Sequence, residues 1–329
     1  LSAEVINYSF KKVSLREYSI SSVAPYLREA ANSLPRDDFT NTEYYPPKNA
    51  ELEDVLRYFI FMVAIDHRTS RDKPYEAYVD SRLYHGADLL YKLGSKKFAE
   101  DPSFFSPERM AKISSNEVSE WLSIKGVNEV SVWDPEVRAD LLRDLGRGLI
   151  KWFEGSVTKL VNMSGGYLKS RPQGITYLMK RFKAYSDPVE KKTYLFVKFV
   201  ERRGLVSVID VWNKEVPVDN HLTRVALRLG LVTPEEDLLK KIKMRETFTW
   251  SEDVMLRLVV RSAYKMLSRI TYLDPFILDD FLWYFGRKVC TRDKPACISS
   301  GECPFLKVCP SREDPEEVVE HHYVDTYYY

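Results

Sequence analysis

The chain has 329 residues, of which 44% are apolar and 13% aromatic, enough to bury a sizeable core in one large domain or two smaller ones. Its 49 basic and 48 acidic residues leave a formal net charge of +1, which excludes a basic nucleic-acid-binding tail and a highly charged disordered chain. All four cysteines, Cys290, Cys297, Cys303 and Cys309, fall near the C-terminus, a clustering that points to one metal site rather than to scattered disulfides.

No N-terminal stretch combines a basic region, an apolar run and a small-residue cleavage site, and the longest apolar run, 58–65, is too short to span a bilayer. These features predict a cytoplasmic protein in a reducing compartment, with no membrane partner. Gln173 is the only glutamine, a depletion that together with abundant charge suggests a thermophile.

Helical periodicity dominates. Leu52, Val55, Leu56 and Phe59 open a helix running to about residue 65, followed by a polar break at Asp66, His67, Arg68, Thr69 and Ser70. Further helices are predicted over 75–93, stopping at Gly94, over 135–153 and over 175–182, with a turn at Ser164, Gly165 and Gly166 between the last two. A helix over 187–203 is predicted from Asp187 as N-cap, Pro188 at the first position and Glu190 at the third, ending at Gly204. Helices over 220–229, 235–244, 251–267 and 275–285 complete the set. No strand pair or internal repeat stands out, so the fold class is all-α, and the acidic, then Tyr-rich tail is expected to pack loosely.

The cysteine spacing is C-x6-C-x5-C-x5-C. Structural zinc sites use pairs of C-x2-C knuckles, which are missing here, whereas longer intervals suit a 4Fe-4S cubane that takes one thiolate per iron. Zinc is the alternative. Asp219 precedes the helix carrying Leu222 to Leu229 and is placed as an N-cap, where backbone N–H groups and the helix dipole favour its ionised form.

The block Val218-Asp219-Asn220-His221-Leu222-x-Arg224-Val225-x-x-Arg228-Leu229-Gly230, followed by four clustered cysteines, resembles the helix-hairpin-helix base-excision DNA glycosylases, and within them the endonuclease III and adenine-glycosylase branch. The resemblance implies a 4Fe-4S cluster on the four cysteines and Asp219 as the catalytic carboxylate. It also places His221 and Arg224 among the DNA-binding residues. An ionised carboxylate suits the chemistry, because breaking an N-glycosidic bond builds oxocarbenium charge on the sugar. It implies two lobes: a helical barrel over 52–204, and a cluster lobe from 1–51 plus 205–329.

In that family a Gly-x-Gly hairpin before the aspartate holds a DNA phosphate. The stretch here, with Lys183, Tyr185, Ser186, Asp187 and Pro188, lacks both glycines. Lys192, or its neighbour Lys191, matches the lysine of members that also act as AP lyases, which would need a lowered pKa to attack C1′. Residues 164–204 carry ten basic and three acidic side chains, a net +7 that suits a phosphate contact. Asp66, His67 and Arg68 correspond to the segment that lines the damage pocket once the nucleotide has flipped. Tyr75 and Tyr185 are candidate stacking residues.

Three functions follow. The first is a monomeric, nucleoid-associated prokaryotic DNA glycosylase acting on a damaged or mispaired base flipped from duplex DNA. The second is a nucleoside N-glycosidase. A glycosylase-like family that salvages queuine from its nucleoside is similar in the Gly165-Gly166 turn, the Asp187-Pro188-x-x-Lys191-Lys192 block and the aspartate before a helix, but lacks the cysteines. The third is a non-catalytic DNA-binding repair protein.

Overall fold

A computed structural model describes residues 12–71, 73–125, 129–323 and 326–329. In chain order its main elements are β1 (Val13–Leu15), α1 (Glu17–Asn32), α2 (Leu52–Ala64), β2 (Glu76–Val79), β3 (Arg82–His85), α3 (Ala87–Glu100), α4 (Ser115–Trp121), α5 (Pro135–Phe153), α6 (Val157–Ser164), α7 (Lys191–Arg202), α8 (Asn220–Arg228), β4 (Val232–Pro234), α9 (Glu236–Met244), α10 (Trp250–Thr271) and α11 (Pro275–Lys288). The fold is all-α, with two small two-stranded sheets among the described residues, β1–β4 and β2–β3. Among the described residues, no helix is long and apolar enough to cross a membrane.

The predicted helix over 75–93 is instead a hairpin followed by α3. Glu76 pairs with His85 and Val79 with Arg82, and Asp80 and Ser81 turn the chain at φ +50° and +65°. Alternate burial along β2 is the strand signature that helical periodicity obscured. The predicted helix over 187–203 begins only at Lys191, because Glu190 sits at φ +62°, a left-handed conformation that a right-handed helix cannot incorporate.

The chain divides into two compact units, Leu1–Arg36 with Lys214–Thr326, and Asp37–Asn213 with Tyr327–Tyr329. These boundaries differ from the lobes read from the sequence, and local packing explains why. Phe39 lies edge-on to Phe199 of α7 at 4.6 Å, and Arg203 donates to the carbonyls of Phe39, Pro46 and Pro47, which ties the stretch before α2 to the second unit. Asp210 accepts from the backbone N–H groups of Leu168, Lys169 and Ser170, which ties down the stretch after Gly204.

In the second unit α2 is apolar on almost every face. From Tyr58 to Ala64 all seven residues are buried, as expected for a helix surrounded by others. It packs against α5, α6 and α7. In the first unit α10 packs against α1, and α8 packs against α10 and α11.

Candidate functional site

The C-terminal end of α2 gathers buried cations in the interior of the second unit. A helix end leaves its last carbonyls without intrahelical partners, and cations are favoured there. Three cations take the carbonyls in succession. Lys192 Nζ donates to Ala64 O at 2.5 Å, and Lys191 Nζ to Asp66 O at 3.4 Å. Arg138 donates to the carbonyls of Ile65, His67 and Arg68. The Asp66 carboxylate lies beside this group, its Oδ2 3.7 Å from Lys191 Nζ and 3.4 Å from the Tyr91 hydroxyl that donates to it. Asp66 keeps part of its side chain exposed, whereas Lys192 and Arg138 are fully buried.

The lysines are set by the turn before α7. The Asp187 carboxylate accepts from the N–H groups of Val189 and Lys191 at 3.0 and 3.2 Å, so it caps a turn rather than beginning the helix itself. Glu190, buried and left-handed, is held by Lys169 and Lys180 at 2.7 and 2.8 Å. Burial, reinforced by the charge of Lys191, drives the Lys192 amine well below the ordinary lysine range. That matches the electrostatics a lyase lysine needs. Its burial against Ala64 O, however, leaves the amine no open approach to a sugar.

His67 does not project from the break. Its side chain is buried, and burial followed by the charges of Arg138 and Lys192 keeps the imidazole neutral, with its pKa well below the usual value. Nε2 lies 3.4 Å from Asp134 Oδ2 and is not aligned as a hydrogen bond. Desolvation pushes the Asp134 carboxyl up to about 6. Tyr75 and Tyr185, read as stacking residues, are also inside, donating to Leu122 O at 2.7 Å and Ile60 O at 2.6 Å.

The +7 segment does not form a track of free cations. Lys169 and Lys180 pair with Glu190, Lys183 with Asp140 at 2.6 Å, and Lys191, Lys192 and Lys198 are buried. Arg203 is spent on three carbonyls, while Arg171 and Arg181 stack on Tyr167 and Trp152. Ser186 Oγ donates to Lys183 O and meets the Tyr328 hydroxyl at 3.3 Å. Arg68 donates its backbone N–H to Tyr329 O.

Asp219 belongs to the first unit. It is the N-cap of α8, its Oδ1 accepting from Leu222 N at 2.8 Å, and it is partly exposed. Behind it runs a buried chain that the sequence did not reveal. His321 Nε2 meets Asp253 Oδ1 at 2.6 Å, and Arg257 pairs with Asp253 at 3.5 Å. Arg257 also donates to Val218 O at 3.1 Å, one residue before Asp219. His221 accepts at Nδ1 from Arg224, and burial lowers its pKa. Arg224, read as a DNA contact, is buried and turned inward, bound to Glu320 at 2.7 Å, Gly286 O at 2.7 Å and Cys290 O at 3.3 Å.

All four cysteines line one space in the first unit, together with Arg228, Leu229, Phe285, Val289, Pro295 and Pro315. Arg228, at the end of α8, donates to the carbonyls of Thr291, Arg292 and Val318 and reaches Cys290 Sγ at 3.5 Å, while Cys309 Sγ donates to Arg228 O at 3.2 Å. Burial pushes the thiols of Cys303 and Cys309 up to about 11 and about 12, so their thiolates need a cation beside them. Among the described residues, no three His, Cys, Asp or Glu side chains come together closely enough to hold a single ion. The donor set itself, four thiols around one largely apolar space, fits a thiolate-ligated iron-sulfur cluster.

Ionisable groups gathered at two helix ends, within a helical framework, define the class: an all-α protein with buried charge clusters in each unit. The family model described as queuosine salvage protein matches residues 46–217, more than half of the 329, and the chain belongs to that family. The matched span contains the α2 end and the Asp187-Pro188-x-x-Lys191-Lys192 block, and stops two residues before Asp219. The chain thus falls in the family raised second by its sequence motifs. Among solved structures, a thermostable thymine-DNA glycosylase is 16% identical with a TM-score of 0.48, covering 90% of this chain and 98% of that one. A likeness that weak carries no argument here. A search of curated proteins returns no match.

Proposed function

We propose that this protein is an N-glycosidase that hydrolyses the bond between base and ribose of a free, queuosine-type nucleoside. The observation that carries the reading is the family match over 46–217, on a segment where Lys169, Lys180 and Lys183 are each ion-paired. A duplex backbone is held by cations that replace its counterions, and Lys169, Lys180 and Lys183 already sit beside carboxylates of this chain. Asp219 supplies the carboxylate that stabilises the oxocarbenium-like sugar and orients water, with its N-cap bond to Leu222 N holding one oxygen.

The second reading, a glycosylase acting on a base in DNA, is favoured by one observation, the four cysteines around a single space. In either case the cysteines are proposed to hold a 4Fe-4S cluster. When bound, the cluster would be held by the four cysteines of the stretch after α11, and Arg228 at the end of α8 would balance part of its negative charge. Chromatographic detection of released base, from queuosine and from a panel of lesion-bearing duplexes, tests the assignment. Release from the nucleoside supports it, and release from duplex alone moves the assignment to DNA.

A further inference from the structure

Helix α8 opens to the surface at its first turn. Asp219, Asn220 and His221, the N-cap and the first two residues, keep part of their surface exposed, while Leu222 to Arg228 are all buried. Asp219 holds Leu222 N through Oδ1, which leaves Oδ2 without a hydrogen-bond partner among the described residues. The His221 ring is engaged through Nδ1, and among the same residues its Nε2 has no partner either. All of these groups belong to the first unit.

The contact at Nδ1 decides the chemistry of the ring. Arg224 Nη1 lies 3.2 Å from it, and a guanidinium can only donate. Nδ1 therefore carries no proton, and a neutral imidazole keeps its proton on Nε2. Burial pushes the pKa of the ring down, against the pull of the Asp219 charge, which favours that neutral form. Arg224 is itself fixed: Nη1 also donates to Glu320 at 2.7 Å, Nη2 to Gly286 O at 2.7 Å and Nε to Cys290 O at 3.3 Å. The turn thus carries an accepting carboxylate oxygen and, two residues on, a donor of fixed tautomer. A hydroxyl answers both, since it accepts and donates at once. On a sugar whose C1′ faces a carboxylate, the adjacent hydroxyl is the 2′.

We propose that His221 donates from Nε2 to the 2′-hydroxyl of the sugar that Asp219 faces, and that this contact selects ribose over 2′-deoxyribose. The proposal rests on the N-glycosidase reading. Hydrogen bonds to the hydroxyl beside the reacting carbon strengthen as oxocarbenium charge develops, so the contact acts on the rate as well as on binding. With a deoxy sugar the donor is left unpaired, which is how a site built for a hydroxyl rejects the analogue lacking it. Arg224 and Glu320 act as positioning residues.

The test compares kcat/KM on queuosine and on its 2′-deoxy analogue for wild type, His221→Gln and His221→Phe, with lesion-bearing duplex alongside. Wild type should prefer the ribose by at least about a hundredfold. His221→Phe should lose about tenfold or more on queuosine and little on the deoxy analogue, narrowing the gap by that factor. Gln, whose amide nitrogen can stand in for Nε2, should recover part of the preference. The ratio of the two sugars within one protein does not depend on how much of it is folded. Proton–nitrogen correlation spectra of the free protein should show His221 protonated at Nε2 and bare at Nδ1, a signature that packing of the ring alone would not fix. No ribose preference in wild type, equal loss on both sugars in His221→Phe, or a proton on Nδ1 overturns the proposal and leaves the N-glycosidase reading standing. Release of base from duplex alone, or from neither substrate, overturns both.

Discussion

Arg257 holds the backbone carbonyl of Val218 at 3.1 Å, so the residue immediately before Asp219 is fixed by a guanidinium that is itself wholly buried. Asp253 neutralises Arg257, and His321 in turn meets Asp253 at 2.6 Å. In the proposed reading a carboxylate facing a developing sugar cation needs a fixed direction, and the anchored Val218 carbonyl adds to the N-cap bond from Leu222 N that holds one Asp219 oxygen.

Arg257→Met is therefore expected to lower kcat much more than it raises KM. It also leaves the Asp253 charge buried without its guanidinium, a loss of about 3–5 kcal/mol of stability. Arg257→Lys should keep the charge and recover much of the stability but less of the kcat, because one ammonium cannot reproduce the fork. Calorimetric melting alongside single-turnover rates checks both. Equal rates in all three proteins would show that the Val218 carbonyl needs no such anchor.

Lys192 is read differently from the sequence and from the fold. Its low pKa is set by burial, and its amine is committed to Ala64 O. No borohydride-trapped adduct with abasic DNA is expected. Lys192→Met should lose about 1–3 kcal/mol, chiefly from the unpaired carbonyl. A trapped adduct that disappears in Lys192→Met would restore the lyase role.

Glu320 gives the first unit an acid limb. Burial alone would raise its pKa, but the charge and hydrogen bond of Arg224 outweigh it and hold the carboxyl at about 2. The folded value lies below the usual 4.5, so the stabilisation is complete above about pH 4.5 and drains away as pH falls toward 2. The stability at stake is on the order of 3 kcal/mol. Urea titrations across this range should show the loss in wild type and a flatter profile in Glu320→Gln. Parallel profiles would assign the acid limb to other carboxylates.

The cysteine site predicts a metal-dependent unit. Protein purified without oxygen should contain about four irons per chain and absorb near roughly 400 nm. Cys303→Ser and Arg228→Met should both lose iron, the second because the guanidinium that joins Thr291, Arg292 and Val318 to the end of α8 is gone. Zinc in place of iron in elemental analysis would point to the other metal.

Much of the helical framework was legible because it rests on periodicity. The stripe of Val137, Leu141, Leu142, Leu145 and Leu149 marks α5, and its bounds are those read from the sequence. The β2–β3 hairpin was missed because its turn uses Asp80 and Ser81 at positive φ rather than glycine. Asp219 as an N-cap was visible in the residues before Leu222, whereas Arg257 and His321 were not, since they come from 38 and 102 positions further along. Counting charge along 164–204 gave +7, but which cations meet a carboxylate is a property of packing that no window of sequence contains.

The most direct measurement is release of free base from queuosine by wild type and by Asp219→Asn, beside the same pair on lesion-bearing duplex. Asn still caps a helix, so the variant should stay folded, within about 1 kcal/mol of wild type. The expected result is turnover of the nucleoside by wild type, loss of at least about a hundredfold in Asp219→Asn, and little release from duplex. Duplex cleavage with an untouched nucleoside, or an Asp219→Asn variant as active as wild type, would contradict the central claim.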